Sequence, residues 1–330
     1  MTDYAMLYDM VYALTARNGR EEALFGISAP AAREAFLHSL TGTEFPELWF
    51  EVPLAGDPWF DLHALTSCVS LTPGMTFPES LAKDAQAAFA WFAKQQRTTR
   101  QLALSWDTGK GFAERPAVQL LVKTDNAEVT CDFLEAAGRP DAKEAYRTFV
   151  SSLPDDWFAC YTGVFPARPD HNLRVECIPE HHLQNAYAND PALLEQHLKQ
   201  VGLTELGDTL LARCQLMAQT PFQLEFQFDV EPDGRAGATF GASLRFARPP
   251  SEGDWEGFAA DGNAGTLMQQ VESWGLADER WRLLEDTIFA TRASRGDESC
   301  VLYCYPAFVK LRWRAGEPVD AKAYLIAGAQ

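Results

Sequence analysis

The chain has 330 residues, with 28 Lys plus Arg against 46 Asp plus Glu, a formal net charge of −18. That sign argues against a general nucleic-acid or anionic-membrane binder, because affinity for phosphate backbones comes from clustered basic charge. With 47% hydrophobic and 22% charged residues the chain can build a packed core, which excludes disorder as its dominant state.

The opening MTDYAMLYDMVYAL carries acids where a secretory signal has a positive region, and no stretch reaches the ~20 apolar residues of a membrane span. A soluble cytoplasmic protein is the expectation. The seven cysteines are odd in number and form no C-x-x-C pair, so they read as reduced thiols, mostly buried.

Along the chain a helical stretch is followed by two strand-like runs, and this order recurs five times. SAPAAREAFLHSL, with Ser28 before Pro30 as an N-cap, precedes the strand pair of 47–67. AKDAQAAFAWFAKQQ precedes the pair of 101–125, and PDAKEAYRTFVSSL the pair of 157–179. PALLEQHLKQVG, capped by Asp190 before Pro191, and LGDTLLARCQLMAQ precede 222–247. AGTLMQQVESWG and ERWRLLEDTIFATRA, both read as helical, precede 301–328. Each pair has Gly, Pro, Asp or Asn between two alternating runs, the hairpin signal.

Antiparallel hairpins joined through helices point to an α+β fold. About ten strands favour closure, since a closed sheet has no exposed edges. The expected architecture is one barrel domain over residues 1–330 with helices outside.

Strand alternation assigns the two faces. In DAKAYLI, Ala321, Ala323 and Leu325 suit helix packing, while Lys322 and Tyr324 point away from the helices. The same split sets Leu173, Val175 and Cys177 against Arg174 and Glu176, and Ala242, Leu244 and Phe246 against Ser243 and Arg245. It sets Val118, Leu120 and Val122 against Gln119 and Lys123, and Phe60, Leu62 and Ala64 against Asp61 and His63. In FQLEFQFD, Gln223, Glu225, Gln227 and Asp229 point inward. Every second strand thus offers one basic or titratable side chain to a polar lumen too wide to be filled by side chains alone.

Five αββ units around such a lumen resemble the aromatic prenyltransferase barrel, the αββα fold of indole and cyanobactin prenyltransferases. The residues carrying the resemblance are Lys322-Ala323-Tyr324, similar to the family's Lys-x-Tyr diphosphate motif, the closing hairpin FVKLRWRAGEPVDAKAYL, and Glu51 in WFEVPL, which looks like the family's first-strand acid. On the other strands the motif changes to Gln119-x-Leu121-x-Lys123, Arg174-x-Glu176 and Ser243-x-Arg245.

The resemblance implies metal-independent transfer of a short allylic group such as dimethylallyl from its diphosphate to an aromatic acceptor, with no cofactor. Acceptors of that class include an indole, a tryptophan derivative, a phenol or a peptide side chain. Lys123, Arg174, Arg245, Lys322 and Tyr324, with Lys310 as a further candidate, would hold the diphosphate, gathered into one positive site. Trp49, Tyr161, Tyr303, Tyr305 and Tyr324 would shield the allyl cation. Glu51 would accept a hydrogen bond from the acceptor and take its proton. His63 reads as a structural histidine. The alternative is a barrel that binds a hydrophobic or peptide ligand without ionisation chemistry, favoured by the altered motif copies.

Other constellations lack the required spacing. Glu180-His181-His182 reads as a surface loop after Pro179, and Asp155-Asp156 has no second acidic cluster. The chain has no G-x-x-x-x-G-K-[ST] loop and no G-x-S-x-G elbow.

Overall fold

A computed structural model describes residues 21–26, 47–66, 82–95, 99–107, 116–122, 127–168, 173–246, 262–295 and 298–329. Its strands are β1 (Glu47–Pro53), β2 (Asp61–Thr66), β3 (Thr99–Trp106), β4 (Ala117–Val122), β5 (Trp157–Val164) and β6 (Leu173–Pro179). They continue with β7 (Gln223–Val230), β8 (Ala236–Arg245), β9 (Phe289–Arg295), β10 (Glu298–Arg314) and β11 (Glu317–Ala329). All eleven join one antiparallel sheet in the order β11-β1-β2-β3-β4-β5-β6-β7-β8-β10-β9, and β10 also pairs with β11. That last pairing closes a ring of ten strands, with β9 lying outside the ring order.

The long β10 explains how an eleventh strand fits. Phe308–Arg314 pair with β8, Glu298–Cys304 pair with β9, and β11 runs along nearly all of the opposite edge. Residues 289–295 therefore form a strand, where ERWRLLEDTIFATRA reads as one helix. The helical part is a 3-10 segment, Glu279–Thr287. Beyond it, the unpaired edge of β10 supplies ladder partners to the β-prone Phe289-Ala290-Thr291, which overrides helical periodicity.

The α-helices among the described residues are Glu21–Phe25, Lys83–Phe92, Ala127–Ala136, Lys143–Ser151, His181–Asn189, Pro191–Gln200, Asp208–Ala218 and Gly262–Ser273. None is long and apolar enough to cross a membrane. Asp190 caps its helix as expected, its carboxylate accepting from the backbone N–H groups of Ala192 and Leu193. Glu180-His181-His182 opens a helix instead of forming a loop, and exposed His182 lies 3.3 Å from Asp156. Ser28 and Pro30 lie outside the described residues.

The outward faces agree with the alternation. Ala321, Ala323 and Leu325, Leu173, Val175 and Cys177, and Leu224, Phe226 and Phe228 all join one core between sheet and helices. Helix side chains complete it: Phe89 and Phe92, Phe133, Phe149, Leu194, Met217 and Met268. Trp157 shows the fit in detail, stacking on Phe226 at 5.0 Å while its Nε1 donates to Tyr187 Oη at 2.7 Å. A second, smaller cluster lies on the inner face, built from Tyr303, Tyr305, Phe308, Tyr324 and Ile326.

Register gives the barrel two chemically different ends. Pairings such as Glu51 with Asp61 and Tyr324, Arg174 with Asp229, and Arg312 with Asp320 lie toward the hairpin tips. Trp49, Phe158, Ile178, Arg245 and Phe308 lie toward the opposite end, where the chain departs into its helices. Several ion pairs gather at the tips, and Trp49, Phe158 and Phe308 lie at the other end beside the Arg245–Glu225 pair.

Candidate functional site

The lumen encloses a cavity of about 520 Å³. Its cationic lining is Arg168, Arg174, Arg245 and Lys310, its aromatic lining Trp49, Phe158, Tyr161, Phe165, Phe308 and Tyr324. Volume and mixed lining fit a small organic ligand.

Each cation is held between a carboxylate and an aromatic face. Arg174 Nε donates to Asp229 at 2.7 Å and its guanidinium lies 4.7 Å from the Phe165 ring. Arg245 Nε donates to Glu225 at 3.1 Å and stacks over Phe308 at 4.5 Å. Lys310 lies 3.7 Å from Glu176 and 4.9 Å from the centre of the Tyr324 ring. Arg168 grips Asp107 through two nitrogens and stacks on Phe165 at 4.1 Å. Lys322 donates to Glu51, lies 3.7 Å from Asp61, and covers the Trp59 ring at 4.5 Å.

These pairings correct one expectation. Lys322 is buried and in register with Lys310 on β10, yet it is not among the residues that line the cavity; its charge is matched by Glu51 and Asp61. The reason is register: Glu51 is flanked by Asp61 on β2 and Tyr324 on β11, one alternation step from Lys322. Of the other candidates, Glu51, Arg174, Arg245, Lys310, Tyr324, Trp49 and Tyr161 line the cavity. Tyr303 and Tyr305 belong to the inner aromatic cluster without lining it. Lys123 lies outside the described residues.

Two carboxylate pairs crowd the lumen. Burial alone would raise the Glu51 carboxyl, but the Lys322 ammonium and then His63 override it and hold it well below the usual carboxylate range. Its neighbour Asp61 goes the other way, pushed up to about 7 by burial and then by the Glu51 charge. Glu176 and Glu225 repeat the pattern. Lys310 draws Glu176 down against the effect of burial, whereas burial and the Glu176 charge push Glu225 up to about 8. Two carboxyl groups at close range do not both ionise readily, so one of each pair keeps its proton near neutrality.

Sequence reading assigned no role to Arg168, Asp107, Ser105 or Ser243. Arg168 and Asp107 lie at hairpin tips, where no periodicity reports direction. Ser105 and Ser243 occupy inward positions of alternating strands, a legible signal, but Ser is common on such faces. Ser243 Oγ is buried at the cavity wall without a hydrogen-bond partner, paired in register with Lys310 and Glu225. His63 Nδ1 lies 2.5 Å from Ser105 Oγ and its Nε2 lies 3.3 Å from Glu51 Oε2. Among the described residues no three His, Cys, Asp or Glu side chains gather into a metal-ligating group.

No protein-family profile matches the chain, and no curated protein is similar to it in sequence. Its fold is similar to solved aromatic prenyltransferases over nearly its whole length. The 6-dimethylallyltryptophan synthase from Micromonospora olivasterospora, solved in complex with DMASPP and Trp, superposes with a TM-score of 0.57 at 11% identity, covering 98% of this chain and 97% of that one. The 5-dimethylallyltryptophan synthase from Streptomyces coelicolor gives 0.52 at 12% identity over 97% and 95% of the chains. AnaPT from Neosartorya fischeri gives 0.51 at 13% over 99% and 94%. The fold is thus the αββα prenyltransferase barrel expected above.

Proposed function

We propose that residues 1–330 form one barrel domain that transfers a short allylic group, such as dimethylallyl, from its diphosphate to an aromatic small molecule or peptide side chain. One observation carries the reading: a single cavity in the barrel lumen brings cations, aromatic faces and an ionised carboxylate together. Ionisation of an allylic diphosphate needs positive groups at the leaving oxygens, π-faces around the carbocation, and a base or hydrogen-bond acceptor at the nucleophile.

The diphosphate is assigned to Arg245, Lys310 and Ser243, with Arg174 beyond them. At neutral pH Glu225, pushed up to about 8, is mostly protonated, so it does not cancel the Arg245 charge. An arginine carries five donors, and the contact with Glu225 uses Nε. The buried, unpartnered Ser243 hydroxyl supplies a donor directed at the cavity. Tyr324, Phe308 and Trp49 then enclose the allyl cation, and Glu51 supplies the negative charge that draws the acceptor's proton. Similarity to two dimethylallyltryptophan synthases supports the donor and acceptor classes.

A second reading rests on the ion pairs. Every lumen cation described here already faces a carboxylate, which suits a barrel that binds a hydrophobic or peptide ligand without releasing diphosphate. Incubation with dimethylallyl diphosphate and a panel of indoles, phenols and tryptophan-containing peptides, read by mass spectrometry, decides between them. Transfer of one dimethylallyl unit is expected. No product, together with no rise in melting temperature at millimolar allylic diphosphate analogue, leaves the binding barrel as the account, since only a ligand preferring the folded state raises it.

A further inference from the structure

His63, Ser105 and Glu51 come from three adjacent strands and all line the cavity. His63 is in register with Ser105 on β3 and with Trp49 on β1, so the backbone ladder sets His63 beside Ser105, and Glu51 lies one alternation step along β1 from Trp49. His63 and Ser105 are buried, and the rings of Trp49 and Tyr324 stand about 6.4 and 6.1 Å from the imidazole.

The hydrogen-bond directions follow from the charges around them. Glu51 Oε1 accepts from the Lys322 ammonium and Oε2 faces His63 Nε2 at 3.3 Å. A carboxylate held by an ammonium only accepts, so Nε2 carries the imidazole proton. Nδ1 then presents its lone pair, and at 2.5 Å the hydroxyl of Ser105 donates to it. This leaves the Ser105 oxygen lone pairs facing the cavity. The titratable groups near His63 are Glu51, Lys322 beyond it, Asp61 two positions back on β2, and Tyr324.

We propose that Ser105 receives the proton of the aromatic acceptor and that His63 stores it, with Glu51 as the carboxylate that orients the imidazole and balances its charge. The proposal rests on the prenyl-transfer reading and narrows its acceptor to an aromatic with a hydroxyl or ring N–H. The allylic C–O bond breaks and its electron pair leaves with the diphosphate, while the acceptor's hydroxyl oxygen or ring nitrogen forms a bond to the allylic carbon. The acceptor's O–H or N–H bond breaks; its proton goes to Ser105 Oγ as the Ser105 proton moves to Nδ1. The product is an imidazolium paired with Glu51, and one proton has moved in all. Ser105 touches the acceptor and His63 acts through it, the logic by which a carboxylate fixes the tautomer of a histidine base.

The test combines a spectroscopic and a kinetic reading on the full chain. Nitrogen-15 NMR of His63, assigned by His63→Gln, is expected to find the proton on Nε2 and an Nδ1 signal that moves in Ser105→Ala. In steady state Ser105→Ala and His63→Gln each lower kcat about 10²-fold, the scale of a lost proton-transfer group, with KM for donor and acceptor near wild type. Ser105→Thr, which keeps the hydroxyl, restores most of the rate. A proton found on Nδ1, or Ser105→Ala turning over within about twofold of wild type, overturns the relay while leaving prenyl transfer standing. A wild type that makes no product from any acceptor overturns the prenyl-transfer reading first, and the relay's reaction with it.

Discussion

Lys322 is only 3% exposed, and its charge partners are two carboxylates, Glu51 on β1 and Asp61 on β2. Removing one member of a buried pair usually costs about 3–5 kcal/mol, because the other charge is left without compensation. The two possible removals are unequal here. In Glu51→Gln burial still raises Asp61 but the Glu51 charge that adds to it is gone, so Asp61 ionises more readily and faces Lys322 as its counter-ion. In Lys322→Met two carboxylates face each other with no cation between them. Glu51→Gln is therefore expected to lower the melting temperature less than Lys322→Met, while still cutting turnover on an indole or phenol by about 10²-fold or more. Equal destabilisation by the two variants would sink the argument about Asp61, and unchanged turnover in Glu51→Gln would remove that carboxylate from the mechanism.

At the scale of elements, the hairpin closing the barrel carries a strained residue. β10 ends at Arg314 and β11 begins at Glu317, so Ala315 and Gly316 form a two-residue turn, with φ of 51° and 77°. Positive φ at both positions is the twist-compatible turn that favours Asn-Gly, and an alanine there bears about 1 kcal/mol of steric cost. Ala315 is exposed, and its N–H donates to Ala238 O at 2.9 Å, a bond Asn retains. Ala315→Asn should raise stability by about 0.5–1 kcal/mol, seen as a higher urea midpoint at unchanged slope; an unchanged or lower midpoint would contradict the strain. The hairpins were legible because a period of two marks both faces, as in Leu173 to Cys177 and Ala321 to Leu325. β9 was not, since its strand character comes from its pairing with Glu298–Cys304 of β10, which the helix-like pattern of the preceding residues conceals. The carboxylates facing Lys322 and Arg245 were equally hidden, because alternation says which way a side chain points and not which neighbour it meets. The Ser105–His63 contact, 42 positions apart in sequence, depends on the register of β2 against β3, which alternation alone does not give.

For the whole molecule, closing ten strands concentrates acids as well as bases inside a chain whose formal charge is already −18. The consequence is a stability that depends on pH in a definite direction. Asp61 and Glu225 hold their protons up to about 7 and about 8 in the fold, against ordinary values near ~3.9 and ~4.3 in the unfolded chain. Between these limits the folded state binds more protons than the unfolded one, so stability declines as pH rises from about 4 to about 8. Glu51, Asp107 and Glu176 are lowered, so their contribution is present above the ordinary carboxylate range and is lost on acidification. Above pH 6 these three are ionised in both states and add no slope, which leaves Asp61 and Glu225 to set it up to about pH 8, against the smaller opposing effect of His197, lowered by burial, and together with the general repulsion of a highly acidic chain; above that the buried thiols of Cys160, Cys214 and Cys304, pushed up by burial, add to the fall. The melting temperature should therefore fall from pH 6 to pH 8. The double variant Asp61→Asn with Glu225→Gln keeps the neutral forms at every pH and should flatten that fall to the part due to net charge. Differential scanning calorimetry of both proteins across the range checks it, and a double variant with the slope of the wild type would show that the two protonated carboxyls are not its source.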